Sequence, residues 1–239
     1  MLVSFIRGAP ALLIRKERIV VVGDLHIGLD LKYRREGIIF QDATKRMSDR
    51  LLRLCKDNGA GSAIIIGDVK ESIAYPGIGE FVELKRFFEA MRGIRIGIAK
   101  GNHDGDMERV LRDLGVDAGL SREIFVGGVA LMHGNAWPSE EAMGKRWLVV
   151  GHKHFAVDAN GKVEKAWVVA KAGKKIGERY EKYNKGIRLV VVPPFNDLIL
   201  GNAINAETGD GMLPFKQRVF DWKSAKVYGL DGKLRRRAF

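Results

Sequence analysis

Apolar positions along the chain alternate between two rhythms. Short β-branched runs at Arg18–Val22, Ser62–Ile66, Ile94–Ala99, Gly128–Met132, Trp147–Val150 and Arg188–Val192 read as strands. Between them, apolar residues at helical spacing predict helices over Asp42–Asp57, Gly79–Arg92 and Asp106–Leu114. In the second helix Phe81, Leu84, Phe88 and Met91 share one face, which is a core stripe rather than a cofactor box. The N-terminus reads as a strand pair turning near Gly8–Pro10. Such alternation predicts an α/β layered fold. From Ala156 the pattern loses regularity. Turn-like Gly/Asn/Asp clusters follow Phe195, and one more strand is expected at Lys226–Gly229. Without a repeat, a heptad or a linker, residues 1–239 are expected to form a single domain. Its motif core would span 18–155, with a basic extension and C-terminal part at 156–239.

Composition adjusts this picture in three places. Apolar residues make up 46% of the chain, enough for a sizeable core, yet no apolar run nears the roughly 20 residues that span a bilayer. Arg7 interrupts Met1–Ile14, and neither a basic segment nor a small-residue cleavage site flanks it; a cytoplasmic protein without a leader is expected. The single cysteine, Cys55, falls on a stripe with Met47, Leu51 and Leu54. It reads as a core thiol, so metal chemistry must rest on His, Asp and Asn.

Charge is the third. With 41 Lys+Arg against 29 Asp+Glu, the net charge is +12, which favours polyanionic partners. Residues 162–188 alone hold nine Lys/Arg against three Glu. Interleaved with Trp167, Tyr180 and Tyr183, this stretch could track a nucleic-acid backbone while the rings stack on bases. It also reads as a solvated lysine-rich face of a heat-adapted protein, a view supported by the presence of only Gln41 and Gln217 as glutamines.

The chemistry is concentrated just beyond the strands. Gly23-Asp24-Leu25-His26 follows the first of them and Gly67-Asp68 the second. Gly101-Asn102-His103-Asp104, His133-Gly134 and Gly151-His152-Lys153-His154 follow the next three. All five histidines of the chain lie in these loops. Ligands of open α/β sheets bind outside the carboxyl ends of strands, so the five loops can converge. Asp24 and His26, like His152 and His154, stand two residues apart and can face one cavity in extended chain. The donor mixture of imidazole, carboxylate and amide oxygen suits Mn, Fe or Zn. Lys32, Arg34 and Arg35 follow the first motif and are candidates to line the cleft mouth and bind substrate.

The ordered set Asp-x-His, Gly-Asp, Gly-Asn-His-Asp, His-Gly, Gly-His-x-His over residues 23–154 resembles the calcineurin-like metallophosphoesterase superfamily. Asp24–Asp30 and the general size are similar to archaeal proteins related to the SbcD repair nuclease. The resemblance implies a four-layer, two-sheet β-sandwich flanked by helices. It implies two divalent ions, Mn²⁺ foremost with Fe, Zn or Ni as substitutes. One would be held by Asp24, His26, Asp68 and His154, the other by Asp68, Asn102, His133 and His152. Metal-bound hydroxide would attack phosphorus in line, with His103 as general acid and Asp104 orienting its ring. The expected substrate is a phosphodiester of nucleic acid or nucleotides; a phosphatase or pyrophosphohydrolase for small molecules is the alternative, and a non-catalytic scaffold a third. Two departures stand out. Val69-Lys70-Glu71 replaces the aromatic or acidic residue usual in the repair nucleases, and the 85 residues after His154 leave little room for their DNA-recognition cap.

Overall fold

The computed structural model describes residues 2–159, 161–204 and 218–237. The first sheet has six strands in sequential order: β1 Val3–Phe5, β2 Leu12–Ile14, β3 Ile19–Val22, β4 Ser62–Ile65, β5 Arg95–Ala99 and β6 Gly119–Ser121. The first three are antiparallel, forming the expected terminal hairpin, and β3 to β6 run parallel. Helices α1 Leu29–Arg35, α2 Ala43–Asp57, α3 Ile78–Ala90 and α4 Met107–Leu114 occupy the crossovers. The Asp42 side chain starts α2 by accepting from Lys45 N–H at 3.3 Å, the bond that makes aspartate a favoured helix start.

The second sheet holds β7 Ile124–Val126, β8 Val129–Leu131, β9 Trp147–Val150, β10 Phe155–Ala159, β11 Lys162–Lys171, β12 Arg188–Val191, β13 Asn202–Ala203, β14 Lys226–Gly229 and β15 Leu234–Arg237. Its order is β13-β10-β11-β12-β9-β8-β7, with β14 pairing both β11 and β15. Two short helices, α5 Glu140–Met143 and α6 Ile176–Arg179, pack outside it.

Strand alternation explains the layers, because successive side chains point to opposite faces. Val21, Ile64, Leu131, Val149 and Val190 meet between the sheets. Their neighbours Val20, Val22 and Ile65 face Leu51, Leu84, Phe87 and Val110 of the helices. Leu148, Val150, Leu189 and Val191 do the same on the other side against Met143 and Ile176. Three apolar layers between four structural ones result, the sandwich expected from the motifs. Cys55 is buried in the helical layer, and burial pushes its thiol up to about 11, as a core thiol should behave. No helix among the described residues is long and apolar enough to cross a membrane.

The stretch 162–188 departs from expectation. Half of β11 lies inside the sandwich, where Trp167 is fully buried and stacks on Phe5 with centroids 4.3 Å apart. Tyr180 is buried too, its hydroxyl donating to the Pro138 carbonyl at 3.1 Å, and Tyr183 packs against the core. Trp167 and Tyr180 are therefore structural, with no face left for a base. Lys165 also turns inward and donates to the Pro194 and Asn196 carbonyls at 2.9 and 2.6 Å. Burial pushes its ammonium down to about 8 against the opposing pull of Asp197. The sequence concealed this strand because only Ala166–Ala170 forms an apolar run, and its first residues, Lys162 and Val163, are exposed. Of the turn-like clusters after Phe195, residues 205–217 lie outside the described residues.

Candidate metal centre

Five strand ends deliver the site. Asp24, His133 and His152 sit two residues beyond β3, β8 and β9, and Asp68 and Asn102 three beyond β4 and β5. The loops continue the parallel pairing of their strands: Asp24 N–H donates to Gly67 O, His26 N–H to Asp68 O, and Gly151 N–H to His133 O. The backbone bends sharply to turn the side chains inward. Asp24, His26, Asp68, His152 and His154 have φ of 56°, 43°, 50°, 75° and 46°, in the left-handed region that non-glycine residues rarely adopt. They are five of the nine non-glycine residues with positive φ among the described residues, so backbone strain is gathered at this site. Two glycines make room. A Cβ on Gly101 would stand 2.2 Å from Asp68 Oδ1, and one on Gly67 2.4 Å from His133 Nδ1.

Ligand-type atoms within 4.8 Å of one another form three triplets: Asp24–His26–His154 and Asp68–His133–His152, which hold the expected ligands, and His26–Glu71–His103 beside the first. Asp68 lies between the first two: its Oδ2 is 3.2 Å from His133 Nε2 and 3.5 Å from His26 Nε2. Asn102 Oδ1 is 3.1 Å from His133 Nε2 and so joins the second triplet. All seven residues expected to hold a metal are thus brought close together.

Two observations show that these residues fit divalent ions. His26 Nε2 is buried without a hydrogen bond, although orphaned polar atoms are costly unless something else satisfies them. In addition, His26 Nδ1–H donates to Glu71 Oε2 at 2.9 Å and His133 Nδ1–H to Ile66 O at 3.0 Å. Those bonds hold each Nδ1 and turn each Nε2 toward Asp68, the orientation metal-ligating histidines commonly show.

Electrostatics agree. Burial alone would raise the carboxyls of Asp24 and Asp68. Contact with His154 and the charge of His133 hold Asp24 below the usual range instead, and His133 with the His103 N–H does so for Asp68. Burial disfavours charge on His133, but Asp68 and Asp24 outweigh it and lift the ring to about 9. Burial and the neighbouring His133 push His152 down to about 4. A buried pair of carboxylates thus gathers positive charge around itself.

His103 is half-buried beside the first triplet, its ring 4.8 Å from that of His26. The expectation that Asp104 orients its ring is not met. The fully buried Asp104 carboxylate accepts instead from Val69 N–H at 2.9 Å and Gly101 N–H at 2.8 Å. It cross-links two ligand loops, since backbone N–H groups are the nearer donors. The ring is oriented by the Glu71 carbonyl, which accepts from Nδ1–H. Lys32 reaches the rim, 3.6 Å from Glu71 Oε1. Arg34 is 3.9 Å from Asp30 and Arg35 is exposed on the same helix.

Sequence reasoning missed two residues here. Glu71 holds His26 through its side chain and His103 through its carbonyl; an acidic residue three places after Asp68 was the available signal. Asn196, buried, donates to Leu25 O at 2.7 Å and braces the first motif from far along the chain. No local pattern marks it.

No family model matches this sequence, and no curated protein matches it. Among solved structures the chain is similar to the Pseudomonas putida nuclease MPE, with 19% identity, 93% of this chain and 89% of that chain covered, and a TM-score of 0.60. It also aligns with YfcE, a phosphoesterase from E. coli, at 15% identity over 92% and 97% of the two chains, with a TM-score of 0.42. The likeness to the nuclease is one of architecture: this chain has the metallophosphoesterase fold, two sheets packed face to face between helices.

Proposed function

We propose that this chain is a metal-dependent phosphoesterase of the calcineurin-like superfamily, related to the SbcD-type archaeal proteins, that cleaves phosphodiester bonds of nucleic acid or nucleotides. One observation carries this reading: seven His, Asp and Asn side chains from five strand ends meet as two triplets with Asn102, and Asp68 of the second triplet also reaches His26 of the first. Asp24, His26 and His154 would hold one ion; His133, His152 and Asn102 would hold the other; Asp68 would bridge. Manganese is the metal we favour, because the donor set is nitrogen and oxygen without thiolate. When bound, such ions supply Lewis acidity and lower the pKa of coordinated water to about 7.

The protein's own groups do the rest. Glu71 and Ile66 fix the tautomers of His26 and His133 through their bonds to Nδ1. His103, with Nδ1–H engaged by the Glu71 carbonyl, keeps Nε2 to deliver a proton to the leaving oxygen. Lys32, next to Glu71 on the rim, is placed to meet a phosphate oxygen. A nucleic-acid substrate is favoured by the net charge of +12 and by the architectural likeness to a protein named as a nuclease.

Salt tests the substrate class. Three phosphate contacts with a polymer should raise its KM roughly 20- to 40-fold between about 50 and 200 mM salt, because binding releases counterions. A small chromogenic diester in the same buffers should change little. Oligonucleotide cleavage with a flat salt response would overturn the polymer reading in favour of small phosphate esters.

A further inference from the structure

Lys70 lies in the segment where the sequence departs from the repair nucleases, and it is completely buried. Its Nζ donates to the carbonyls of Ser72, of Ile73 at 3.0 Å, of Ala74 at 2.9 Å and of His103 at 2.6 Å. An ammonium has three protons, so four carbonyls saturate it and take the place of water. Burying a charge this way is costly unless it is fully hydrogen-bonded, and burial holds its pKa below the usual lysine range. Three of the four carbonyls belong to the turn immediately after Lys70. The fourth belongs to another loop, the one that follows β5.

That fourth contact completes a cradle. His103 N–H donates to Asp68 Oδ1 at 2.9 Å, His103 Nδ1–H donates to Glu71 O, and His103 O accepts from Lys70. All three contacts come from residues 68–71. Glu80 holds the same segment from its other side, accepting from Glu71 N–H and Ser72 N–H at 2.8 Å each. Ile73, meanwhile, is 63% exposed, so little apolar packing fixes the turn. The ammonium is what gives it a centre.

We infer that Lys70 is a positioning residue for His103: by tying the 72–74 turn to the His103 carbonyl it sets where the imidazole Nε2 stands. This rests on the reading of His103 as the group that protonates the leaving oxygen. A role confined to folding would lower stability without favouring one leaving group over another.

The test is Lys70→Met, which keeps the length and loses the donors. Diesters with poor, alkoxide-type leaving groups should slow roughly 10- to 100-fold, the usual effect of losing an outer-shell partner. Aryl diesters with good leaving groups should slow far less, and two ions per chain should remain. Adding Lys70→Met to His103→Gln should bring little further loss. In metal-free protein the His103 imidazole nitrogen resonances should shift or broaden, while those of His154 stay in place. If Lys70→Met does not fold, Lys70→Gln, which keeps a shorter donor, goes through the same comparisons and should show the same selectivity. Equal slowing of all substrates, additivity with His103→Gln, or unmoved His103 resonances would overturn the inference. The resonances are read without metal or substrate. A wild-type chain that hydrolyses nothing would therefore sink the phosphoesterase reading and leave this test standing.

Discussion

Asp68→Asn is expected to leave the protein with one divalent ion or none and to slow phosphodiester hydrolysis by roughly 10³-fold. Asp68 stands between the triplets, 3.2 Å from His133 Nε2 and 3.5 Å from His26 Nε2, so a bridging role falls to it. The amide keeps the oxygen that accepts from His103 N–H, but it removes the negative charge that two cations need between them. Metal-ion stabilisation of transition-state charge amounts to several kcal/mol, and about 1.4 kcal/mol corresponds to a factor of ten. Elemental analysis of the purified variant, alongside its kinetics, reads both effects. Two ions per chain in Asp68→Asn would remove the bridging assignment.

His103→Gln is expected to keep both ions and to lose roughly 10²- to 10⁴-fold on diesters with poor leaving groups, the usual contribution of a positioned acid. Diesters that expel a nitrophenolate need no proton and should lose little. The geometry behind this contrast is specific. A ring nitrogen of His103 lies within 4.8 Å of ligand atoms of His26 and Glu71, and its Nδ1–H is committed to the Glu71 carbonyl, which leaves Nε2 for the proton. A uniform loss across leaving groups would instead make His103 a support for the metal loops.

The sandwich was legible because its strands are buried on both faces and bounded by glycine. Val20, Val21 and Val22 divide between two cores, and such strands print as continuous apolar runs. The ligand set was legible for a different reason: chemistry-bearing residues sit within four positions of strand ends, so short sequence motifs mark them. What the sequence hid lies in long-range and backbone-mediated contacts. Helix α1 follows the first motif, but its seven residues include only Leu29, Leu31 and Tyr33 as apolar positions, too few for a stripe. Strand β11 is hidden by its lysines. Asn196 braces Leu25 from 171 residues away. Glu71 rather than Asp104 orients the His103 ring because the deciding partners are backbone N–H and C=O groups, which carry no sequence signature. The same blindness made Trp167 and Tyr180 look like stacking platforms, when both are core.

Hydrolysis of a chromogenic phosphodiester by metal-stripped protein tests whether the two His/Asp triplets form a working metal centre. No turnover is expected without metal, and added Mn²⁺ should restore it, saturating near two ions per chain. Turnover that persists after stripping and is indifferent to added metal would contradict that reading.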